Sequence, residues 1–239
     1  MLRDEKEEGK PNGQRTRDTF HLSDFFLHID DNEKRRRLAV DRVLKIIFGE
    51  PYQTPLFDEY AMFMAFSAAL RSADLARQGG AIIGKDGEIL AMGANDCPKY
   101  SGGLYWPAAN RKDGKVSDVK NGRDYTRGLD SNDLEKQLIA KEIANLIEDE
   151  YKKAKETSKA ELDHDIILQA IQQSPLDDIT EYGRVVHAEM EALLMCARNN
   201  ISCRGATLYC TTFPCHNCAK HIIAAGITRV VFVEPYPKS

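Results

Sequence analysis

Hydrophobic and polar positions change their period several times along this chain. Between Phe20 and Phe48, the residues Leu38, Val40, Val43, Leu44, Ile46 and Ile47 recur at helical spacing and predict an amphipathic helix. After a loop marked by Pro51 and Pro55, the apolar run Tyr60–Leu70 predicts a buried helix, with Asp58 as its N-cap. Ala81–Gly84 and Glu88–Met92 flank Lys85-Asp86-Gly87. An Asp-Gly pair readily adopts the positive φ of a tight hairpin turn, so these segments are read as antiparallel strands. Further on the pattern alternates: helix over His187–Ala197, strand over Ala206–Thr211, helix over Cys215–Ala225 closed by Gly226, strand over Thr228–Val233. Alternation of this kind indicates a layered α/β sheet.

The middle of the chain reads differently. From Lys99 to Pro107 it is rich in Gly, Tyr, Trp and Pro, and a charge-dense stretch follows to about Asp178. Within it, Asn132-x-x-Glu135 has the form of a capping box. It would open a helix with Leu134, Leu138, Ile143, Leu146 and Ile147 on one face; Ile166, Ile167 and Ile171 predict a second. Residues 99–180 are therefore expected to form a charged helical insertion, acting as a lid, a partner surface, or both. Residues 1–19 read as a polar leader. The expected organisation is a leader and helical extension over 1–50 and one domain over 51–239 that carries the insertion.

Composition narrows the class. The 239 residues carry 37 acidic against 33 basic side chains, a formal charge of −4, which disfavours coating nucleic acid by charge alone. No apolar stretch approaches the ~18–20 residues that span a bilayer, so no membrane partner is expected. The start, Met1-Leu2-Arg3-Asp4-Glu5-Lys6, lacks the apolar core of a secretory signal, and a cytoplasmic location is expected. The six cysteines fall at 97, 196, 203, 210, 215 and 218. In a chain of this kind, clustered cysteines point to metal or catalysis rather than to a disulfide framework.

The chemistry concentrates in His187-Ala188-Glu189 and Pro214-Cys215-His216-Asn217-Cys218. Two thiolates and one imidazole make a tetrahedral zinc site with one position open, the property that separates catalytic from structural zinc. Zinc lowers the pKa of water from 15.7 to about 7 and so supplies hydroxide at neutral pH. Pro214 would start a helix, placing Cys215 and Cys218 on one face of its first turn, where the helix terminus favours thiolates. Residues two apart on a helix do not share a face, so His187 and Glu189 converge only if His187 sits where the backbone is not yet helical. Glu189 would carry a proton from the activated water to a ring nitrogen and then to a leaving amine.

This H-x-E and P-C-x-x-C pattern resembles that of the zinc-dependent nucleobase deaminases. Arg71-Ser72-x-Asp74, Gly80-Ala81-Ile82-Ile83, Gly93-Ala94-Asn95, His187-Ala188-Glu189-Met190 and Phe213-Pro214-Cys215-x-x-Cys218-Ala219-Lys220 resemble deoxycytidylate deaminases. Phe57-Asp58-Glu59-Tyr60-Ala61-Met62, Asn95-Asp96-Cys97-Pro98 and Glu234-Pro235-Tyr236-Pro237-Lys238-Ser239 are similar to the deaminase half of the bacterial anti-phage dCTP deaminases. The resemblance covers roughly residues 14–105 and 180–239. It implies a three-layer α/β/α cytidine-deaminase-like fold, and hydrolysis of a free deoxycytidine nucleotide, dCTP or dCMP, to the deoxyuridine nucleotide and ammonia. In infected cells that reaction would deplete dCTP. It further implies Zn2+ on His187, Cys215 and Cys218, Glu189 as the proton carrier, and Asn95 on the sugar. Arg71, Arg77 and Lys99 are candidates for the phosphates, and Tyr236 for the border of the base pocket. Relatives of this fold commonly assemble, so a homo-oligomer is expected; a nucleic-acid regulator is not readable from the sequence. Proteins of that branch also carry an N-terminal nucleotide-kinase-like domain and a further helix after the last strand, so the chain is expected to be the deaminase portion of a larger protein.

Other readings compete. A structural zinc knot would recruit Cys196, Cys203 or Cys210 as fourth ligand, in a non-enzymatic nucleotide-sensing module. A redox Cys-x-x-Cys leaves His187 and Glu189 without a role. The same chemistry directed at single-stranded DNA or tRNA would need a basic groove. Gly79-x-x-x-x-Gly84-Lys85 nearly spells a phosphate loop, but Asp86 stands where Ser or Thr should be, and a strand is expected there instead of a helix. Cys97, Cys196, Cys203 and Cys210 are otherwise expected as small buried hydrophobes. Tyr100, Tyr105 and Trp106 would either stack bases or pack the insertion on the core.

Overall fold

The computed structural model describes residues 31–154, 164–172 and 182–234, together with 23, 26, 27, 174 and 176. The predicted leader, residues 1–19, and Tyr236 lie outside the described residues. Helix α1 (Glu33–Ile47) starts where Asn32 accepts a hydrogen bond from the Arg35 amide at 3.2 Å. Helix α2 (Phe57–Ala69) has Leu56 at its N-cap position, and the Leu56 N–H donates to Glu59 Oε2 at 2.7 Å. Asp58, expected as the cap, is already inside the helix. Its carboxylate accepts from both terminal nitrogens of Arg229 at 2.8 and 2.6 Å and from the Tyr209 hydroxyl at 2.6 Å. A guanidinium offered by the sheet bonds both carboxylate oxygens at once and pairs two ionised groups, which a single helix amide cannot do.

The hairpin forms as expected, with β1 (Gly80–Lys85) and β2 (Glu88–Ala94) joined through Asp86 at φ 53 and Gly87 at φ 81. Lys85 ends a strand, which removes the phosphate-loop reading. The insertion follows. It holds the two-residue strands β3 (Ala108–Ala109) and β4 (Val116–Ser117), then α3 (Asp124–Arg127), α4 (Ser131–Ala154) and α5 (His164–Gln172). Asp130 caps α4 by accepting from the amides of Asn132 and Asp133 at 2.7 and 3.4 Å, so Asn132 is a helix residue and not the cap. An Asp at that position satisfies two of the orphan amides at once. The chain then returns as α6 (Ala188–Arg198), β5 (Thr207–Thr212), α7 (His216–Ala224) and β6 (Arg229–Glu234).

The main sheet has the order β2-β1-β5-β6, with β1 antiparallel to β2 and β5, and β5 parallel to β6. Alternation along β1 divides the core. Ile82 joins Ala61 and Ala65 of α2 and Tyr209 on one face, while Ala81 and Ile83 join Ala188, Ala192 and Leu193 of α6 and Ile222 of α7 on the other. Three layers, α/β/α, result, as the fold class requires. Each fully buried Ile or Leu here, such as Ile82, Ile83 and Leu208, contributes about 1.5–3 kcal/mol.

Two glycines seat the helices. A Cβ on Gly80 would stand 1.9 Å from the Ala65 carbonyl oxygen, and one on Gly93 would stand 2.1 Å from that of Ala188. The backbones touch, leaving room only for alanine between them. This reverses the expectation that Tyr60–Leu70 is a buried helix. Only Ala61, Ala65 and Ala69 of α2 are buried, and Phe63, Phe66 and Leu70 point outward with 63%, 61% and 79% exposure. Among the described residues, no helix is long and apolar enough to cross a membrane.

Candidate active site

Both helices that carry the chemistry begin at the same end of the sheet, beyond the C-terminal ends of β2 and β5. His187 is the N-cap residue of α6, with extended backbone at φ −65, ψ 151, and Glu189 lies in the first turn. The non-helical start that the spacing requires is therefore present. Cys215 caps α7 in the same extended conformation, φ −67, ψ 167, and Cys218 is buried in its first turn. Pro214 precedes the cap rather than opening the helix. The tight turn out of β5 takes the position before the cap, where a fixed φ is no hindrance.

Nδ1 of His187 lies 3.4 Å from the sulfur of Cys215 and 3.4 Å from that of Cys218. All three ligand atoms fall within 4.8 Å of one another. Tetrahedral zinc with ordinary Zn–N and Zn–S bonds places nitrogen and sulfur about 3.6 Å apart, so the residues fit the ion. Among the described residues, Cys196, Cys203 and Cys210 do not join this group, which leaves the structural knot without its fourth ligand. Cys97, Cys196 and Cys210 are buried as expected and Cys203 partly so. Burial pushes the thiols of Cys97 and Cys196 up to about 11, which makes them poor nucleophiles.

The site is electrostatically prepared. A hydrogen bond shared with Cys218, and a second from His187, bring the Cys215 thiol down to about 3. That same bond, and burial, hold the Cys218 thiol above its ordinary range. His187 is raised by its contact with Cys215. Glu189 is buried, and burial pushes its carboxyl above the usual carboxylate range; it is in hydrogen-bond contact with Cys218.

The remaining predicted residues that the structure describes differ in exposure and in partners. Asn95 leaves β2 with its amide fully engaged: Oδ1 accepts from the Gly79 amide at 2.5 Å, and Nδ2 donates to Asp74 Oδ2 at 2.9 Å and to the Arg77 carbonyl. Arg77 pairs with Glu234 at the end of β6. Arg71 donates to the Leu104 carbonyl at 3.2 Å and lies over the ring of Trp106, 3.8 Å from its centroid. Lys99 is exposed. Tyr236 is not described.

The sequence model for the "Cytidine and deoxycytidylate deaminase zinc-binding region" matches residues 56–234. The chain belongs to that family. The deoxycytidylate deaminase of Saccharomyces cerevisiae is 25% identical over 235 residues, which are 95% of this chain and 55% of that protein. That of Enterobacteria phage T2 is 48% identical over 54 residues, 23% of this chain and 29% of its own length. The chain thus spans only part of the length of these relatives. The apo crystal structure of dCMP deaminase from cyanophage S-TIM5 aligns with 76% of this chain and 86% of that one at 20% identity, with a TM-score of 0.40.

In this deaminase-family chain, the imidazole that could hold zinc comes from one helix terminus and the two sulfurs from another, whose dipole favours their ionised forms. Sequence reasoning missed Asp74, which fixes the Asn95 amide and is close enough to His187 to raise its pKa. It also missed Asp96, buried to 1% exposure beside the site. Asp74 was visible within the Arg71-Ser72-x-Asp74 motif. Asp96 was visible within the Asn95-Asp96-Cys97-Pro98 motif, but its burial and its partners were not.

Proposed function

We propose that the chain is a zinc-dependent hydrolase that removes the exocyclic amine of a free deoxycytidine nucleotide, dCMP or dCTP, releasing the deoxyuridine nucleotide and ammonia. The observation that carries this reading is the His187–Cys215–Cys218 group with Glu189 buried against it. Zinc bound there supplies a Lewis acid that lowers the pKa of water from 15.7 to about 7. Glu189 would take one proton from the attacking water and give it to the ring nitrogen of cytosine. The water's second proton, from the hydroxyl then bonded to C4, would pass through Glu189 to the amine, so that ammonia leaves as the C–N bond breaks and C4 becomes a carbonyl. A buried carboxyl held above the usual carboxylate range suits both accepting and donating.

Asn95 is assigned to the sugar, where its amide would exchange a protein partner for a substrate hydroxyl. Lys99, exposed on the loop after β2, is assigned to the phosphates. Arg71 and Arg77 would reach a phosphate only by leaving Trp106 and Glu234. Tyr236 is assigned to the base pocket. The motifs around Phe57–Met62 and Asn95–Pro98 support a narrower reading, in which dCTP is the substrate and its depletion in a phage-infected cytoplasm is the purpose.

The chain is further proposed to self-assemble through α2. Its outward residues Tyr60, Phe63, Phe66 and Leu70 are uncharged, so a second copy related by a two-fold axis would bury no unpaired ion there. Phe63→Glu should lower the mass seen by sedimentation; a monomeric wild-type chain would end that part of the proposal.

The deciding experiment is ammonia release from cytosine nucleosides, deoxycytidine mono- and triphosphates and cytosine-containing oligonucleotides, with zinc quantified in the same sample. Turnover confined to free deoxycytidine nucleotides is expected. Zinc-loaded protein that releases ammonia from none of them would overturn the reading, and turnover of oligonucleotides alone would move it to a polymer.

A further inference from the structure

The segment that leads into His187 is gripped by a closed ring of contacts, and two members of that ring come from the insertion. Asp96, at the exit of β2, forms both backbone hydrogen bonds of a bridge to Val186, the residue before His187, at 3.2 and 3.0 Å. Its carboxylate accepts from the amides of Cys97 and Ala73 at 2.7 and 3.3 Å. The guanidinium of Arg123 lies 3.4 Å from the same carboxylate, 3.2 Å from Asp118, and donates to the Tyr105 carbonyl. Arg123 is 4% exposed and Asp96 1% exposed. The neighbouring Asp124, equally buried, accepts from Arg184 at 2.8 Å, and Arg184 also donates to the Gly122 carbonyl at 2.9 Å. Arg184 stands two residues before Val186. Adjacent insertion residues of opposite sign therefore clamp the two bridged segments, Arg123 on the β2 exit and Asp124 on the approach to His187.

We propose that Arg123 and Asp124 are positioning residues for the zinc site, supplied by the insertion, which hold the Arg184–His187 segment so that His187 Nδ1 faces Cys215 and Cys218. The inference rests on the zinc-deaminase reading above. Burial works against the charge on Asp96, and Arg123 works for it. Removing Arg123 takes away the larger of the two guanidinium charges that favour this buried carboxylate, Arg71 being the other, and the bridge that the carboxylate anchors becomes the cheapest place to relax. Groups that orient a ligating histidine typically change metal affinity 10–100-fold when lost.

The test compares Arg123→Met with Arg123→Lys, and adds Arg184→Met, whose side chain is partly exposed and which tolerates replacement if the first variant fails to fold. Amide hydrogen exchange on the metal-free protein should accelerate by about tenfold or more at Asp96 and Val186, with the amides of β5 unchanged. Zinc affinity, read by competition with a chromophoric chelator, should fall by about 10–100-fold in the Met variants and recover in part in Arg123→Lys. For deamination, kcat should fall with KM little changed. Wild-type exchange at Asp96 and Val186 together with wild-type zinc affinity would overturn the proposal. So would equal acceleration in β5, because that marks general destabilisation. Exchange and zinc binding need no nucleotide, so a failed substrate assignment leaves this test standing.

Discussion

The inner and outer halves of the insertion meet the rest of the molecule by different physics. Between Leu104 and Arg127 the contacts are polar and reach into the core: Arg71 stacks on Trp106, and Arg123 and Asp124 pair with Asp96 and Arg184. Between Ser131 and Gln172, α4 and α5 pack chiefly on each other. They bury Ala140 and Ala144 and leave Leu138, Leu146 and Ile166 exposed. The composition shift at Lys99 marks where the chain leaves the sheet, but not where the site's supports end. A stretch that reads as solvated charge contains the buried ions that brace the metal ligands, because paired ions and solvated ions look alike in sequence.

The contrast can be broken or sharpened by a graded set of substitutions. The largest effect belongs to the site itself. Glu189→Gln should retain zinc and lower kcat for ammonia release by roughly 10²–10⁴, the usual weight of a general acid–base; full activity would remove Glu189 from the chemistry. In the outer half, Ala144→Leu overpacks a fully buried position of α4 and should cost about 1–3 kcal/mol in urea unfolding. Its kcat should nevertheless stay at the wild-type value, and a loss of turnover would mean that the outer half also braces the site. In the inner half, Trp106→Ala should cost only about 1 kcal/mol by removing the ring under Arg71, yet lower kcat more than Ala144→Leu does. The smallest effect is expected far from both halves. Arg229 and Tyr209 hold Asp58 down from its ordinary 3.8 to about 2. A depressed carboxylate contributes stability above the unfolded value, and this is lost as pH falls through about 2. Between pH 5 and 2, the urea midpoint of Asp58→Asn should therefore fall less steeply than that of the wild type.

The strands, the Asp86-Gly87 turn and the need for a non-helical His187 were legible because each is a local matter of period, φ or spacing. Cap positions were less so. Asp58 and Asn132 both have side chains suited to capping, but Asp58 is claimed by Arg229 across the sheet, and Asp130 is the better-placed acceptor for α4. The outward aromatics of α2 were read as core because an apolar run says nothing about how closely a helix sits on its strand. The grouping of His187, Cys215 and Cys218 could be named from spacing, since metal chemistry restricts residue type severely. Asp96, Arg123 and Arg184 could not, since ion pairs between distant segments leave no periodic trace.

The missing side chain at Gly93 has a consequence for how this protein tolerates change. Because β2 and the first turn of α6 meet main chain to main chain, the start of α6, and with it His187, is located by peptide groups that every sequence shares. Exchanging Leu193 or Leu208 for another apolar residue alters how long the fold survives heat, while the ligand's address stays the same. The hydrophobic interior is free to drift, and among the positions most closed to drift are those, Gly80 and Gly93, that contribute no side chain at all.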